Sequence, residues 1–169
     1  MFSQAKIYVA DLAAYNSGTL HGIWIDNLLD LTEVEEQIAT MLSKSPIKRA
    51  EEYAIHDYAG FGNTDIGEFF SIEQVHNIAL FLFENDEYGH LILSYCNEDI
   101  EEAKRMLTDC FQGQYDSVED YAQEMLADSL QLPDNLTYYF DWERYARDLE
   151  MGGDIQTIEY ENAVLIFSP

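Results

Sequence analysis

Residues 6–26 read KIYVADLAAYNSGTLHGIWID, two β-rich runs on either side of a short polar segment. The runs at residues 6–11 and 22–26 are rich in the β-branched and aromatic residues that favour strands. Between them, residues 16–18 are Asn-Ser-Gly, a composition typical of a loop. The stretch therefore predicts a pair of neighbouring strands joined by a loop.

Helical and extended patterns follow this pair. Thr32 and Glu35 have the spacing of a capping box, and the apolar face behind them runs as far as Pro46, which predicts a helix. Residues 53–57 (YAIHD) predict a third strand, and the glycines at 60, 62 and 67 predict a loop after it. The first third of the chain therefore combines strands with one helix.

The middle of the chain is predicted to be helical. Ser71 and Gln74 form a second capping box, which opens a helix with a nearly continuous apolar stripe. The stripe consists of Val75, Ile78, Ala79, Leu82 and Phe83. A further helix, with Ile100, Ala103 and Leu107 on one face, is predicted behind an Asn97 cap.

The last third is predicted to end in a hairpin. Ser117 with Asp120 opens an acidic helix, and a short helix follows over residues 142–149. After Gly152-Gly153, the runs at 155–159 and 164–167 are β-like. The whole pattern predicts an α+β fold of mixed short sheets and acidic helices.

The charge of the chain is strongly one-sided. Its 169 residues hold 33 Asp and Glu against 8 Lys and Arg, a net charge of −25. No basic residue occurs between Arg49 and Lys104 or between Arg105 and Arg144. So much like charge opposes compaction. Direct nucleic-acid binding is not expected, because phosphate contacts need clustered Lys and Arg.

The acid-only segments suggest that the protein imitates DNA. Duplex DNA carries one charge per ~1.7 Å of axis, so 25 excess charges correspond to about 43 Å of duplex. Acids three or four residues apart on a helix are ~5–6 Å apart at Cβ, and adjacent acids add density. The predicted DNA-mimic surface consists of Glu51, Glu52, Asp57, Asp65, Glu68, Glu73, Glu84, Asp86, Glu87, Glu98, Asp99, Glu101, Glu102, Asp109, Asp116, Glu119, Asp120, Glu124 and Asp128.

No catalytic motif occurs in the sequence. GxSxG, Walker, GxGxxG, HExxH and paired CxxC patterns are absent, and the four histidines lack metal-ligand spacing. Residues 57–68 match an EF-hand loop at four positions, but Ala59 and Phe61 stand where oxygen ligands are required. We therefore expect neither an enzyme nor a bound cofactor or metal.

The sequence also predicts the compartment. No signal peptide or membrane-spanning stretch is recognisable, so a soluble, cytoplasmic protein without membrane contact is expected. The spacing of Cys96 and Cys110 fits neither a metal site nor a redox pair. Both are expected to be reduced and structural.

Three blocks of the sequence resemble the ArdA antirestriction proteins. They are IYVADLAAYNSGTLHGIWID at 7–26, EEYAIHDYAGF at 51–61 and LPDNLTYYFDWERYARDLEMGGDI at 132–155. The resemblance implies an elongated, curved chain of three small domains, which we expect at 1–62, 63–105 and 106–169. It also implies a homodimer that imitates bent B-form DNA. The partner implied is a type I restriction-modification enzyme, its methyltransferase core with the specificity subunit, inhibited to protect mobile DNA.

The carboxy-terminal third is expected to carry the dimer contact. Five aromatic residues lie within eight positions there: Tyr138, Tyr139, Phe140, Trp142 and Tyr145. The alternative is that all five pack against the final hairpin.

Two other functions remain open. A DNA mimic directed at another DNA-binding protein would share the charge pattern but not the three blocks. A halophilic protein would be acidic for solubility alone, but we expect such acidity to be spread evenly and to accompany fewer large apolar side chains than the 14% aromatic content here.

Overall fold

A computed structural model describes residues 5–67, 70–129 and 139–169, with the side chains of 127–129 also outside the description. The described chain has an α+β fold, as predicted. It divides into two compact units, Met1–Ile100 and Glu101–Pro169. The separate central domain expected at 63–105 remains a prediction.

The first unit combines a three-stranded sheet with four helices in its described part. Its elements are β1 (Lys6–Asp11), α1 (Leu12–Asn16), β2 (Gly22–Asp26), α2 (Leu31–Ser43), β3 (Tyr53–Ala59), α3 (Ile72–Glu84) and α4 (Gly89–Tyr95). The sheet is antiparallel in the order β2-β1-β3. The predicted strand pair is confirmed, with Ile7 of β1 opposite Ile25 of β2 and both fully buried.

A β-bulge interrupts the pairing of β1 with β3. Tyr8 faces Asp57 and the next residue, Val9, faces Ile55, so His56 is the extra residue on β3. A bulge of this kind bends its strand and changes the direction of the inserted side chain.

The connection predicted as a loop between β1 and β2 begins with a short helix, and Ser17 and Gly18 lie in the turn that follows it. Asp11 is its N-cap, and its Oδ1 accepts hydrogen bonds from the backbone N–H of Ala13 at 2.9 Å and Ala14 at 3.1 Å. Because an Asp cap satisfies exposed N–H groups at a helix start, the chain turns into α1 as soon as β1 ends.

The helix predicted after β2 is confirmed, but its predicted capping box is wrong. The helix begins at Leu31 with Asp30 in the N-cap position, so Thr32 is already inside the first turn. The apolar face is as expected, since Val34, Ile38 and Met41 are buried.

The capping box of α3 is confirmed in both directions. The Gln74 N–H donates to Ser71 Oγ at 3.2 Å, and the Ser71 N–H donates to Gln74 Oε1 at 2.8 Å. The predicted apolar stripe is correct except at Phe83, whose side chain is 54% exposed. Phe81 is buried in its place, because it lies three residues after Ile78 on the same helix face.

The second unit contains α5 (Ile100–Arg105), which continues from the first unit, and a π-helical turn over Met106–Cys110. The other elements are β4 (Phe111–Tyr115), α6 (Val118–Ser129), α7 (Trp142–Gly152), β5 (Gln156–Tyr160) and β6 (Ala163–Phe167). The predicted cap at Asn97 is wrong, because α5 begins three residues later and Asn97 lies in a turn with φ 51°. The predicted start of α6 is confirmed by the Asp120 N–H, which donates to Ser117 Oγ at 3.1 Å.

The predicted hairpin is confirmed as β5 and β6, and β4 joins it in an antiparallel sheet of order β4-β6-β5. The core of this unit packs α6 and α7 against the sheet. Its buried residues are Tyr121, Ala122, Leu149, Ile155 and Ile166. Among the described residues of either unit, no helix has the length and apolar character needed to cross a bilayer.

Candidate partner-binding surface

The predicted acidic residues point to solvent. Those with described side chains are exposed except for Glu98, Glu102 and Glu119, which are half-buried. Glu68 and the side chain of Asp128 lie outside the description. Even if all eight Lys and Arg were paired with acids, 25 negative charges would remain uncompensated. The surface is therefore strongly anionic.

Some of these acids also help the fold locally. Glu73 lies in the first turn of α3, and Glu119 and Asp120 lie in the first turn of α6. An acid at a helix N-terminus interacts favourably with the helix dipole. These positions can therefore be explained by folding alone.

The carboxyl end of α3 cannot be explained in this way. The helix ends at Glu84 without a basic residue in its last turn, and Asp86 and Glu87 follow directly. Negative charge at a helix C-terminus is unfavourable, and Lys, Arg or His is preferred there. Asp86 and Glu87 also precede the N-terminus of α4, where negative charge is favourable, so it is Glu84 that opposes the stability of its own helix.

Two of the predicted acids are partly neutralised within α5. Glu102 Oε1 and Oε2 accept hydrogen bonds from Arg105 Nη2 at 2.6 Å and Nε at 2.9 Å, and Glu101 Oε1 lies 3.4 Å from Lys104 Nζ. The hydrogen bonds from Arg105 lower the pKa of Glu102 below its ordinary value. The adjacent pair 101–102 therefore contributes less negative field than its sequence suggests.

The anionic surface extends beyond the predicted residues. Glu33, Glu35 and Glu36 are exposed on α2, and Glu143 and Glu150 are exposed on α7. Glu33, Glu35, Glu36 and Glu150 lie outside the two segments that contain no base, whereas Glu143 lies at the end of the second one, directly before Arg144. A count of acidic residues in each predicted helix would have identified these residues, whereas a search for segments without bases does not identify all of them.

Asp11 is the exception among the described acids, because it is fully buried. The Ser45 hydroxyl is the main cause that lowers the pKa of Asp11, and the N–H groups of Ala14 and Ala13 act in the same direction. Asp11 is therefore a structural carboxylate rather than part of the surface.

The aromatic residues of the expected dimer contact have different environments. Trp142 and Tyr145 pack against the core of the second unit. The Phe140 ring lies 4.4 Å from that of Trp142 and 5.6 Å from that of Tyr145, between centroids. Tyr139 is 81% exposed, and Tyr138 lies outside the described residues.

The segment that resembles an EF-hand uses its carboxylates internally. Asp57 Oδ1 accepts the Tyr58 N–H at 2.8 Å, and Asp65 Oδ1 accepts the Tyr58 hydroxyl at 2.9 Å. That second bond is the main reason why the pKa of Tyr58 is raised. Over the ranges 5–67, 70–129 and 139–169, no group of three or more His, Cys, Asp or Glu is placed to hold a metal ion.

This α+β, surface-acidic chain has the features of a protein that binds a cationic partner. The model of the antirestriction protein (ArdA) family matches residues 7–162, and the chain belongs to this family. The family is antirestriction rather than enzymatic, and its partners are restriction-modification enzymes. A search among curated proteins finds no match.

Proposed function

We propose that this protein is a mimic of bent B-form DNA that occupies the DNA-binding groove of type I restriction-modification enzymes. By doing so it protects incoming mobile DNA from restriction. The family assignment supports the antirestriction activity. The exposed, uncompensated charge supports the mimicry, because a groove built for phosphates attracts such a surface by the same salt-dependent steering.

The observation that carries the proposal is the exposed Glu84 at the end of α3. Glu84 stands in the last turn of α3, where the helix dipole disfavours negative charge. If the charges served folding alone, Lys, Arg or His would be expected at the C-terminus of α3. Charge retained against local stability is better explained by a binding role.

The charge density also fits a duplex. The excess of 25 charges equals that of about 43 Å of DNA, and a dimer carries the equivalent of about 85 Å. We propose a homodimer, as the family resemblance implies, and place part of its contact at Tyr139, a large exposed side chain beside the packed rings of Phe140, Trp142 and Tyr145. The partner surface we propose is that of the methyltransferase core with its specificity subunit, reached in the cytoplasm.

An inhibition assay with a purified type I enzyme tests the proposal. The wild-type protein should inhibit cleavage, and stepwise replacement of Glu73, Glu84, Glu87 and Glu124 by glutamine should weaken inhibition progressively. Each single change should cost less than about fivefold, because one exposed charge is worth at most ~1 kcal/mol. Gln123→Ala, an exposed change on α6 that leaves the net charge unaltered, serves as the control. Loss of inhibition from one substitution in a folded protein would contradict mimicry by distributed charge.

Sedimentation at two salt concentrations tests the dimer. Two strongly negative chains repel each other, so an apolar contact should tighten as salt screens that repulsion. Tyr139→Ser should weaken association without unfolding the second unit, since the side chain is 81% exposed. A monomer at micromolar concentration under both conditions would contradict the proposed dimer.

A further inference from the structure

A small cavity lies in the first unit, beside the contact between α1 and β3. Its volume is about 350 Å³. It is lined by Tyr15, Ile55, His56, Asp57, Tyr58 and Ile66. The cavity combines aromatic rings with carboxylate oxygen, so its chemistry differs from that of the surrounding acidic surface.

The aromatic walls are held in place but keep exposed surface. The rings of Tyr15 and His56 meet edge to face, 4.6 Å apart at an interplanar angle of 81°, which covers at most one face of either ring. Tyr15 remains 54% exposed. The ring of Tyr58 packs edge to face on buried Phe61, at 5.9 Å and 84°. The walls are therefore largely formed before a ligand arrives.

The backbone of β3 contributes to this arrangement. His56 is the extra residue of the β-bulge, and the bulge changes the direction of the strand at the point where the cavity lies. A regular strand would pair every residue of 53–59 with β1. The irregularity therefore coincides with the cavity.

The carboxylates supply the charge. Asp57 lines the cavity and uses Oδ1 for the Tyr58 N–H. Asp65 accepts the Tyr58 hydroxyl through Oδ1, which adds a second negative charge one hydrogen bond from the wall. In both residues the second carboxylate oxygen accepts no hydrogen bond from the described residues. Aromatic faces with nearby carboxylates favour a cation.

We propose that this cavity binds the guanidinium group of an arginine of the protein's cationic partner. A planar guanidinium stacks on aromatic rings and donates two parallel hydrogen bonds to a carboxylate, whereas a compact ammonium does neither as well. The inference rests on the proposed function in that a DNA-binding groove supplies the arginine. It adds to that function one specific arginine contact, within a surface whose binding otherwise depends on many separate charges.

The first test uses a small probe and does not involve a restriction enzyme. Titration of the protein with ethylguanidinium at constant pH, followed by NMR, should shift the ring signals of Tyr15 and His56. Ethylammonium should produce smaller shifts. Tyr15→Leu should lose the response, whereas Tyr95→Leu, which removes a comparably exposed ring outside the cavity, should keep it. Equal responses to both probes, or an unchanged response in Tyr15→Leu, would overturn the proposal.

The second test uses the type I enzyme. Tyr15→Leu leaves the net charge unchanged and should weaken binding about 3- to 30-fold, the range of a partly to fully desolvated cation–π contact. Asp57→Asn should weaken it more than Asp116→Asn, which removes one exposed charge that does not line the cavity. Thermal melts check that each variant is folded.

The outcomes separate the two proposals. If the wild-type protein fails to bind the enzyme, the proposed function is wrong, while the ethylguanidinium titration still decides whether the cavity takes a guanidinium. If the wild-type protein binds and Tyr15→Leu binds equally well, the arginine anchor is wrong and distributed charge stands.

Discussion

Glu84→Gln should stabilise the protein while it weakens binding to the partner. Glu84 is the last residue of α3, is exposed, and has no basic residue in its turn. A charge at this end of a helix is worth ~0.3–1 kcal/mol at low ionic strength. Its removal should raise the free energy of unfolding by that amount, or the melting temperature by about 1–4 °C.

Glu73→Gln is the matched control for this change. Glu73 is equally an exposed glutamate of α3, but it lies in the first turn, where the dipole favours it. The control should therefore lower the melting temperature by a similar amount. Both variants lose one negative charge, so both should weaken partner binding slightly.

Salt provides the check on the cause. The two shifts in melting temperature, measured at about 0.01 M and 1 M salt, should both shrink at high salt, because the Debye length falls from ~30 Å to ~3 Å. A Glu84→Gln variant less stable than wild type at low salt would show that Glu84 is not kept against stability.

Three further predictions concern the fold and its charge. Asp11→Asn should be less stable than wild type at neutral pH. Because folding lowers the pKa of Asp11, the stability difference is fully present above the ordinary aspartate pKa of ~3.9. In acid denaturation scans the difference should shrink as the pH falls through the lower pKa of the folded state. Gly22→Ala should cost about 1–3 kcal/mol in chemical denaturation, because a Cβ would lie 2.5 Å from the Val9 carbonyl oxygen, whereas Gly67→Ala, with open space around it, should change stability by less than ~0.5 kcal/mol. A gel shift with duplex DNA at low salt should show no complex, since the net charge is −25; a tight complex would contradict mimicry.

Elements with a strong local signal could be predicted from the sequence. The capping box at Ser71 and Gln74 and the strand pair of residues 6–11 and 22–26 were found because side chain and backbone preferences agree there. The strand β4 was missed. Its sequence FQGQY lacks β-branched residues and contains Gly113 at φ 141°, beside an irregularity in the pairing with β6. β4 is a strand because it pairs with β6, which is distant in sequence and therefore gives no local signal.

The acidic surface could be predicted as a composition but not as a geometry. The exposure of Glu84, Asp86 and Glu87 could be predicted, because charged side chains are rarely buried without a partner. The pairing of Glu102 with Arg105 was overlooked because the acid-only segment was taken to end at 103. The cavity beside His56 could not be predicted, since it depends on a β-bulge that brings side chains of α1 and β3 together.

Competition between this protein and duplex DNA for the enzyme distinguishes DNA mimicry from binding at another surface. The affinity of the type I methyltransferase core for this protein and for its own duplex should be measured from 50 to 300 mM salt, on the order of physiological ionic strength. Mimicry predicts that the two ligands exclude each other and that both affinities fall with rising salt. A ternary complex of enzyme, duplex and this protein, or an affinity for the protein that does not fall with salt, would contradict it.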